Sequence, residues 1–156
     1  MTSLHQYDTN TKQLLKFSTD VTNIRHELKK FGIKFNHTAY ADLETLLAST
    51  AFQHGFVTTD FYQSDKPRIM DPHFHNDREA RLLLKGKGTF FIVIPAHTND
   101  DDEIEVPEMV FELQVGTGDF VSIPDRMVHG FESQEPLLVA RFFSGKEQYE
   151  AHYVTW

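Results

Sequence analysis

Cysteine is absent from this sequence of 156 residues. Its absence excludes disulfide bonds and thiolate metal sites, so any metal must be held by imidazole and carboxylate groups. Apolar runs of membrane-spanning length are absent as well, and residues 1–5 show no basic segment followed by an apolar stretch. We therefore expect a cytoplasmic protein that has no membrane partner.

Positive charge is scarce. The chain has 15 Lys and Arg residues against 23 Asp and Glu residues, which gives a formal net charge of -8. The summed field repels phosphate backbones, so we expect no nucleic-acid partner. An acidic surface is also compatible with the monomer that we expect. The most acidic stretch, residues 99–103, is predicted to be a solvated hairpin loop rather than a cation site.

The composition is sufficient for one hydrophobic core. Hydrophobic residues make up 40% of the chain and charged residues 24%, which is ordinary for a folded globular protein. The length is that of one domain. We predict a single domain over residues 1–156, with a helical N-terminal portion at 1–55, a β-barrel at 56–145 and a C-terminal segment at 146–156.

Two helices are predicted in the N-terminal portion. Asp20 is a suitable N-cap, Ile24 and Leu28 follow at helical spacing, and Gly32 is a suitable C-terminal stop. A second helix is predicted over about residues 41–54, with Gly55 after it.

After Gly55 the pattern changes to short apolar runs broken by Gly, Pro, Asn and Asp, which is typical of an all-β sandwich or barrel. Eight such runs are enough to close a barrel, so the fold is predicted to be mainly β. The predicted strands cover residues 56–62, 70–75, 79–85, 88–95, 109–115, 119–123, 128–131 and 137–143.

A cluster of polar residues begins within the second predicted strand. His73 and His75 are two apart on a strand, so both imidazoles point to the same face. Asn76 and the next residue favour a turn, which would present Glu79 from the neighbouring strand at the same level. Two imidazoles and one carboxylate match the ligand set that proteins use for non-haem iron.

His129 is the candidate fourth ligand. It follows a glycine turn at Gly118 and a proline-led turn at Pro124, which deliver one histidine into the next strand. Four protein ligands leave two adjacent positions open on an octahedral ion, and such a site suits a substrate that chelates through two oxygens. This arrangement indicates a catalytic metal site rather than a closed structural one.

Each of these residues has a simpler interpretation when it is taken alone. A His-x-His pair arises by chance, and one histidine is more often a surface or hydrogen-bonded core residue than a ligand. The combination of His73 and His75, Glu79 four residues later, and a separate Gly-x5-Pro-x4-His segment favours the metal site.

The two segments resemble the paired motifs of the cupin superfamily, and the whole chain is similar to the acireductone dioxygenases of methionine salvage. The resemblance covers roughly residues 15–155 and implies a cupin barrel, also called a double-stranded β-helix or jelly roll. Beyond the histidine segments, it is carried by residues 15–20, 32–35, 55–60 and 129–131 in the same order.

The resemblance implies that His73, His75, Glu79 and His129 hold one divalent ion, Fe(II) or Ni(II), and that Arg81 lies at the active site. It further implies cleavage of an acireductone with O2. Members of the family with iron give a 2-oxo acid and formate, and members with nickel take a different cleavage that also releases carbon monoxide.

The sequence departs from the family pattern beside the ligands. Pro72 replaces an acidic residue, Val128 and Gly130 replace a proline and an aromatic residue, and Ile69 and Met70 stand where an aromatic residue is common. These changes alter the pocket wall and keep two alternatives open. One is another metal-dependent cupin enzyme, such as a sugar isomerase or a different small-molecule dioxygenase. The other, which the intact ligand set disfavours, is a non-enzymatic cupin that binds a small ligand.

Three further residues are candidates for the active site. Arg81 shares strand parity with Glu79, so it is expected to point inward and to need an anion, which either a substrate or a buried carboxylate could supply. Arg141 is the second candidate catalytic residue, although its strand could face solvent on one side. Phe131 shares parity with His129 and is a candidate substrate-binding wall, with a plain core aromatic as the alternative.

Overall fold

Two antiparallel sheets make up most of the computed structural model, which describes residues 2–37, 58–76, 78–98, 103–143 and 151–154. The helix is α1 (Val21–Lys29). The strands are β1 (Ser3–Asp8), β2 (Leu14–Ser18), β3 (Lys34–His37), β4 (Thr58–Ser64), β5 (Arg68–Phe74), β6 (Glu79–Lys85), β7 (Lys87–Ile94), β8 (His97–Thr98), β9 (Glu105–Val106), β10 (Met109–Gly116), β11 (Asp119–Ile123), β12 (His129–Ser133), β13 (Leu137–Phe143) and β14 (His152–Tyr153).

Strands that follow one another in sequence often belong to different sheets. The larger sheet has the order β14-β5-β12-β7-β10-β1-β2, and the smaller sheet has the order β3-β11-β6-β13-β4. The chain therefore changes sheet from β5 to β6, from β6 to β7, and at each step from β10 to β13. Strands that adjoin in sequence consequently place their side chains on opposite walls.

The main hydrophobic core joins the two sheets. It brings Leu83 and Val139 of the smaller sheet into one buried cluster with Phe90 and Phe111 of the larger sheet. Ala80 and its neighbours of the same parity form a second cluster. Strand β6 is thus buried on both faces, which explains why its sequence reads as a nearly continuous apolar run.

Helix α1 begins where its sequence predicts. The Asp20 carboxylate accepts hydrogen bonds from the backbone N–H groups of Thr22 and Asn23, which satisfies two donors that the first turn leaves open. Ile24 and Leu28 are buried on the face that packs on the core. The chain turns away at Gly32, whose φ of +77° favours glycine.

The predicted strands are confirmed over the described residues, with ends that differ by no more than two residues, although residues 56 and 57 of the first predicted strand lie outside the described ranges. The N-terminal portion contains strands that were not predicted, namely β1, β2 and β3. Strand β2 is exposed along nearly its whole length, and β1 buries the polar side chains of Ser3 and Gln6, so neither strand shows the alternation that identifies a half-buried strand.

Several predictions fall on residues outside those described. The predicted second helix, at about residues 41–54, falls there, as does most of the predicted C-terminal segment 146–156. Residues 99–102 of the acidic stretch lie there too, although the flanking strands β8 and β9 pair antiparallel, as the predicted hairpin requires. Over the described residues, the helical segment is too short and too polar to cross a membrane.

Candidate metal centre

Strands β5 and β12 of the larger sheet carry the three histidines. They pair antiparallel, and His73 lies directly opposite His129. His75 follows two residues after His73, just beyond the end of β5, and all three side chains are buried. The imidazoles face one another, with ring centroids of His73 and His129 4.5 Å apart and those of His73 and His75 5.0 Å apart.

Glu79 reaches the same point from the opposite sheet. It opens β6, which pairs with β11 and β13 rather than with β5. The prediction placed Glu79 on the neighbouring strand; β6 is the next strand in sequence, but it lies in the other sheet, because the connection after His75 carries the chain across. The four predicted ligands nevertheless converge, with one ligand atom from each residue within 4.8 Å of the others.

Two of the imidazoles are held in the same way. Nδ1 of His73 donates to the carbonyl of Asp71 at 2.7 Å, and Nδ1 of His129 donates to the carbonyl of Met127 at 2.9 Å. In each case the acceptor is two residues earlier in the chain. A proton fixed on Nδ1 leaves the lone pair on Nε2, which is then available to a metal, and in His129 this nitrogen contacts Glu79.

The electrostatics favour a neutral imidazole beside an ionised carboxylate. Burial, together with the neighbouring His129, lowers the pKa of His73 to about 4. Burial by itself would raise the pKa of Glu79, but Arg81 and His129 outweigh it and hold that pKa well below its ordinary value. Both groups are thus in the protonation state that a metal ligand requires.

The potential ligand atoms of the four residues are better suited to binding a cation than to bonding with one another. Nε2 of His73 is buried and has no hydrogen-bond partner among the residues that the structure describes. The Glu79 carboxylate contacts Nε2 of His75 at 3.2 Å, and its other oxygen contacts Nε2 of His129. Buried lone pairs without donors are costly. One divalent ion between these four residues would satisfy them together.

The other predicted residues line a cavity next to this cluster. Arg81 is buried and its Nη2 lies 3.2 Å from Oε2 of Glu79, the oxygen that also contacts His75, so the buried carboxylate is its anion. Arg141 lies directly opposite Arg81 on β13 and is half-buried. Phe131 packs against Phe90 and also faces the cavity, so it is both a core aromatic and a wall.

Tyr62 and Met70 line the same cavity and were not predicted to do so. Tyr62 is on β4, and its ring centroid lies 5.7 Å from the guanidinium carbon of Arg141, within the range of a cation–π contact. Tyr62 reaches the cavity because the register of β4 against β13 places Tyr62 opposite Val139 of the cavity wall. The sequence does not show which strands pair or in which register, so this position could not be predicted.

Met70 reaches the cavity because β5 contains an irregularity. His129 pairs with His73, but Phe131 pairs with Met70, so β5 has one residue more than β12 over this stretch. The extra residue lies around Pro72, and proline within a sheet is found at edges and bulges. The extra residue turns Met70 to the same face as His73, whereas residues three apart on a regular strand face opposite sides. Gly130 fits against this irregularity, since an added Cβ there would lie 3.0 Å from the carbonyl oxygen of Met70.

A known protein family matches nearly the whole chain. The model of the ARD/ARD' family matches residues 3–151. An acireductone dioxygenase of Stenotrophomonas maltophilia (strain K279a) is 26% identical over 98% of this chain and 90% of its own length. An acireductone dioxygenase of Xanthomonas oryzae pv. oryzae (strain MAFF 311018) is 27% identical over 94% of this chain and 85% of its own length.

Among solved structures, an acireductone dioxygenase from Bacillus anthracis with a cadmium ion in its active centre superposes with a TM-score of 0.68. It is 14% identical in sequence, and the match covers 98% of each chain. At that identity the likeness concerns the fold, and the predicted mainly β barrel of the cupin type is confirmed.

Proposed function

Because the chain belongs to the ARD/ARD' family, we propose that it is a metal-dependent dioxygenase that cleaves an acireductone with O2. The products would be a 2-oxo acid and formate, and the role would be in methionine salvage. The observation that carries the proposal is the buried convergence of His73, His75, Glu79 and His129 from two sheets. Similarity to proteins named acireductone dioxygenase over nearly the whole chain supports the substrate.

These four residues would hold one ion, Fe(II) or Ni(II), since imidazole and carboxylate ligands suit both. When bound, the ion would act as a Lewis acid that stabilises the negative charge of a chelating enediolate. The chain prepares the ligands by fixing the Nδ1 protons of His73 and His129 on backbone carbonyls and by keeping Glu79 ionised beside Arg81.

Arg81 and Arg141 are the proposed catalytic residues. They face the cavity from two directly opposite positions of adjacent strands, where two like charges would repel if no anion lay near them. The negative charge of Glu79 partly neutralises Arg81, and an anionic substrate would neutralise the two arginines further. The guanidinium groups would thus attract and orient an enediolate on the side of the cavity that adjoins the ligands.

The cavity has an apolar wall, which is formed by Met70, Phe131, Leu137 and Val139. Such a wall would accept the carbon tail of the substrate and exclude water from the polar end. Met70, with its unbranched and flexible thioether, would let this wall adapt to the shape of the tail.

The proposal is tested by loading the purified chain separately with Fe(II) and Ni(II) under anaerobic conditions. We expect about one ion per chain, O2 uptake when an acireductone is added, and products that identify the cleavage. His75→Ala is expected to lose both metal and O2 uptake. His26→Ala, which removes an exposed imidazole of α1, is the matched control and is expected to keep both.

The altered residues around Met70 favour one alternative, a different metal-dependent cupin enzyme such as a sugar isomerase or another small-molecule dioxygenase. Full metal loading without O2 uptake from acireductone, with either ion, would support that alternative. A chain that binds neither ion would instead support a non-enzymatic cupin.

A further inference from the structure

The C-terminal strap, residues 152–154, returns to the strand that carries the first two histidines. Within it, β14 forms the edge of the larger sheet and pairs antiparallel with β5, with Tyr153 opposite His73. The backbone N–H of Val154 extends the pairing by donating to the carbonyl of Pro72 at 3.1 Å. The strap therefore closes the outer edge of β5 beside the metal centre.

Side chains of the strap reinforce this pairing on both sides. The ring of Tyr153 lies 5.7 Å from the ring of His73, at an angle of 50°, which is within the range of favourable aromatic pairs. The ring of His152 stacks on Phe74 at 5.0 Å, and its Nε2 lies 3.2 Å from the amide nitrogen of Asn76. Each contact is with the segment that runs from His73 to the turn before Glu79.

The position of the strap affects how the His73 imidazole can move. His73 is fully buried, whereas Tyr153, whose ring lies beside the imidazole, is 68% exposed, so Tyr153 adjoins His73 at the protein surface. The hydrogen bond to Asp71 restrains one edge of the imidazole. A histidine ligand leaves a metal when its ring turns away, so that water takes its place on the ion or a proton binds the freed lone pair. The Tyr153 ring, 5.7 Å from the imidazole, would hinder a turn toward the strap.

We propose that the C-terminal strap is a retaining device for the metal centre, and that Tyr153 is a positioning residue that holds His73 in its coordinating orientation. The inference rests on the proposed function only in requiring that His73 binds the ion. It does not depend on the substrate or on the reaction. Groups that orient ligands from outside the coordination sphere typically change metal affinity by about 10–100-fold.

The test measures metal release from the full chain. The protein is loaded with Ni(II) or with Co(II), whose visible spectrum reports the ligand geometry, and release into excess chelator is followed over time. Tyr153→Ala is expected to release the ion about 10-fold faster than the wild type and to alter the Co(II) spectrum. Tyr153→Phe keeps the ring and is expected to restore both properties.

Two further variants distinguish an effect of the strap on metal release from a general loss of stability. Val154→Pro removes the N–H that bonds to Pro72 and is expected to speed release as well. Phe17→Ala removes a ring that is 55% exposed on β2, at the opposite edge of the same sheet, and is expected to leave release unchanged. Because Tyr153 is exposed, metal-free Tyr153→Ala is expected to unfold at the same urea concentration as the wild type.

The outcomes distinguish the two proposals. A wild-type chain that holds the ion, with Tyr153→Ala and Val154→Pro releasing it at the wild-type rate, would overturn the strap alone. Equal acceleration in Phe17→Ala would also overturn it, since any loss of surface packing would then suffice. A wild-type chain that holds no ion would overturn the metal centre and the strap together.

Discussion

The imidazole of His73 is buried beside a second histidine, and this makes the folded chain sensitive to acid. Burial and His129 lower its pKa to about 4 in the folded chain, whereas the imidazole of an unfolded chain titrates near 6.5. Between these two values the unfolded chain binds a proton that the folded chain does not. Stability is therefore full above pH 6.5 and is lost progressively as the pH falls toward 4.

We expect the metal-free chain to unfold at a lower urea concentration at pH 5 than at pH 7. His73→Asn removes the titrating group, so its urea midpoint is expected to depend less on pH over the same interval. Urea unfolding followed by circular dichroism at both pH values checks this. The same pH dependence in the wild type and the variant would mean that His73 is not the responsible imidazole.

Single residues also show what the sequence could predict about the site. The four ligands were predictable because strand parity and two short spacings specify them. Arg81 and Phe131 followed from parity with a neighbouring ligand, and the structure places both at the cavity. Tyr62 could not be predicted, because its place depends on the register between β4 and β13. That register is set by long-range packing rather than by spacing along the chain.

Among the strands, β5 contains an irregularity that shapes the cavity. Its extra residue brings Met70 and His73 to one face, and the irregularity packs on Gly130 of β12. Period-two reasoning places residues three apart on opposite faces, so it could not predict this arrangement. Pro72 was a signal for it, since proline within a strand pattern indicates an edge or a bulge.

Gly130→Ala is expected to destabilise the chain by about 1–3 kcal/mol, because its Cβ would lie 3.0 Å from the carbonyl oxygen of Met70 and force the backbone apart. The matched control is Gly116→Ala on β10, where an added Cβ meets no atom within 4 Å. Urea unfolding of the metal-free variants gives both free energies of unfolding. Equal values for the two variants would show that β5 adapts to the added methyl group.

Strands could be predicted from the sequence after residue 55 but not in the N-terminal portion. Strands β6, β11 and β13 have the predicted ends because they are buried and bounded by turn residues. Strand β2 lies at an edge and exposes Leu14, Leu15 and Phe17. Burial does not impose an alternating pattern on such a strand, so its sequence carries little strand signal.

For the molecule as a whole, the alternation of strands between sheets creates the site. Because β5 and β6 adjoin in sequence but lie in different sheets, the short connection between them carries the chain from His75 on one wall to Glu79 on the other. The prediction that placed Glu79 on the neighbouring strand led to the same convergence. Spacing along the chain predicted that these residues meet, whereas the sheet assignment depended on packing between distant strands.

A bound ion would therefore join the two sheets, and His73 and His129 meet around it only in the folded chain. Binding that is confined to the folded state adds about 2.7 kcal/mol to its stability when free metal is at 100 times the dissociation constant. We expect the urea midpoint of the wild type to be higher with excess Ni(II) than with chelator. Glu79→Gln, which removes the ligand from the smaller sheet, is expected to lose most of this increase.

Glu112→Gln is the matched control for this comparison, because it neutralises a half-buried carboxylate of β10 outside the ligand cluster. It is expected to keep the full increase with Ni(II). If Glu79→Gln gained as much stability from Ni(II) as the wild type, the stabilising ion would be bound elsewhere, and the two sheets would be held together by their hydrophobic core alone.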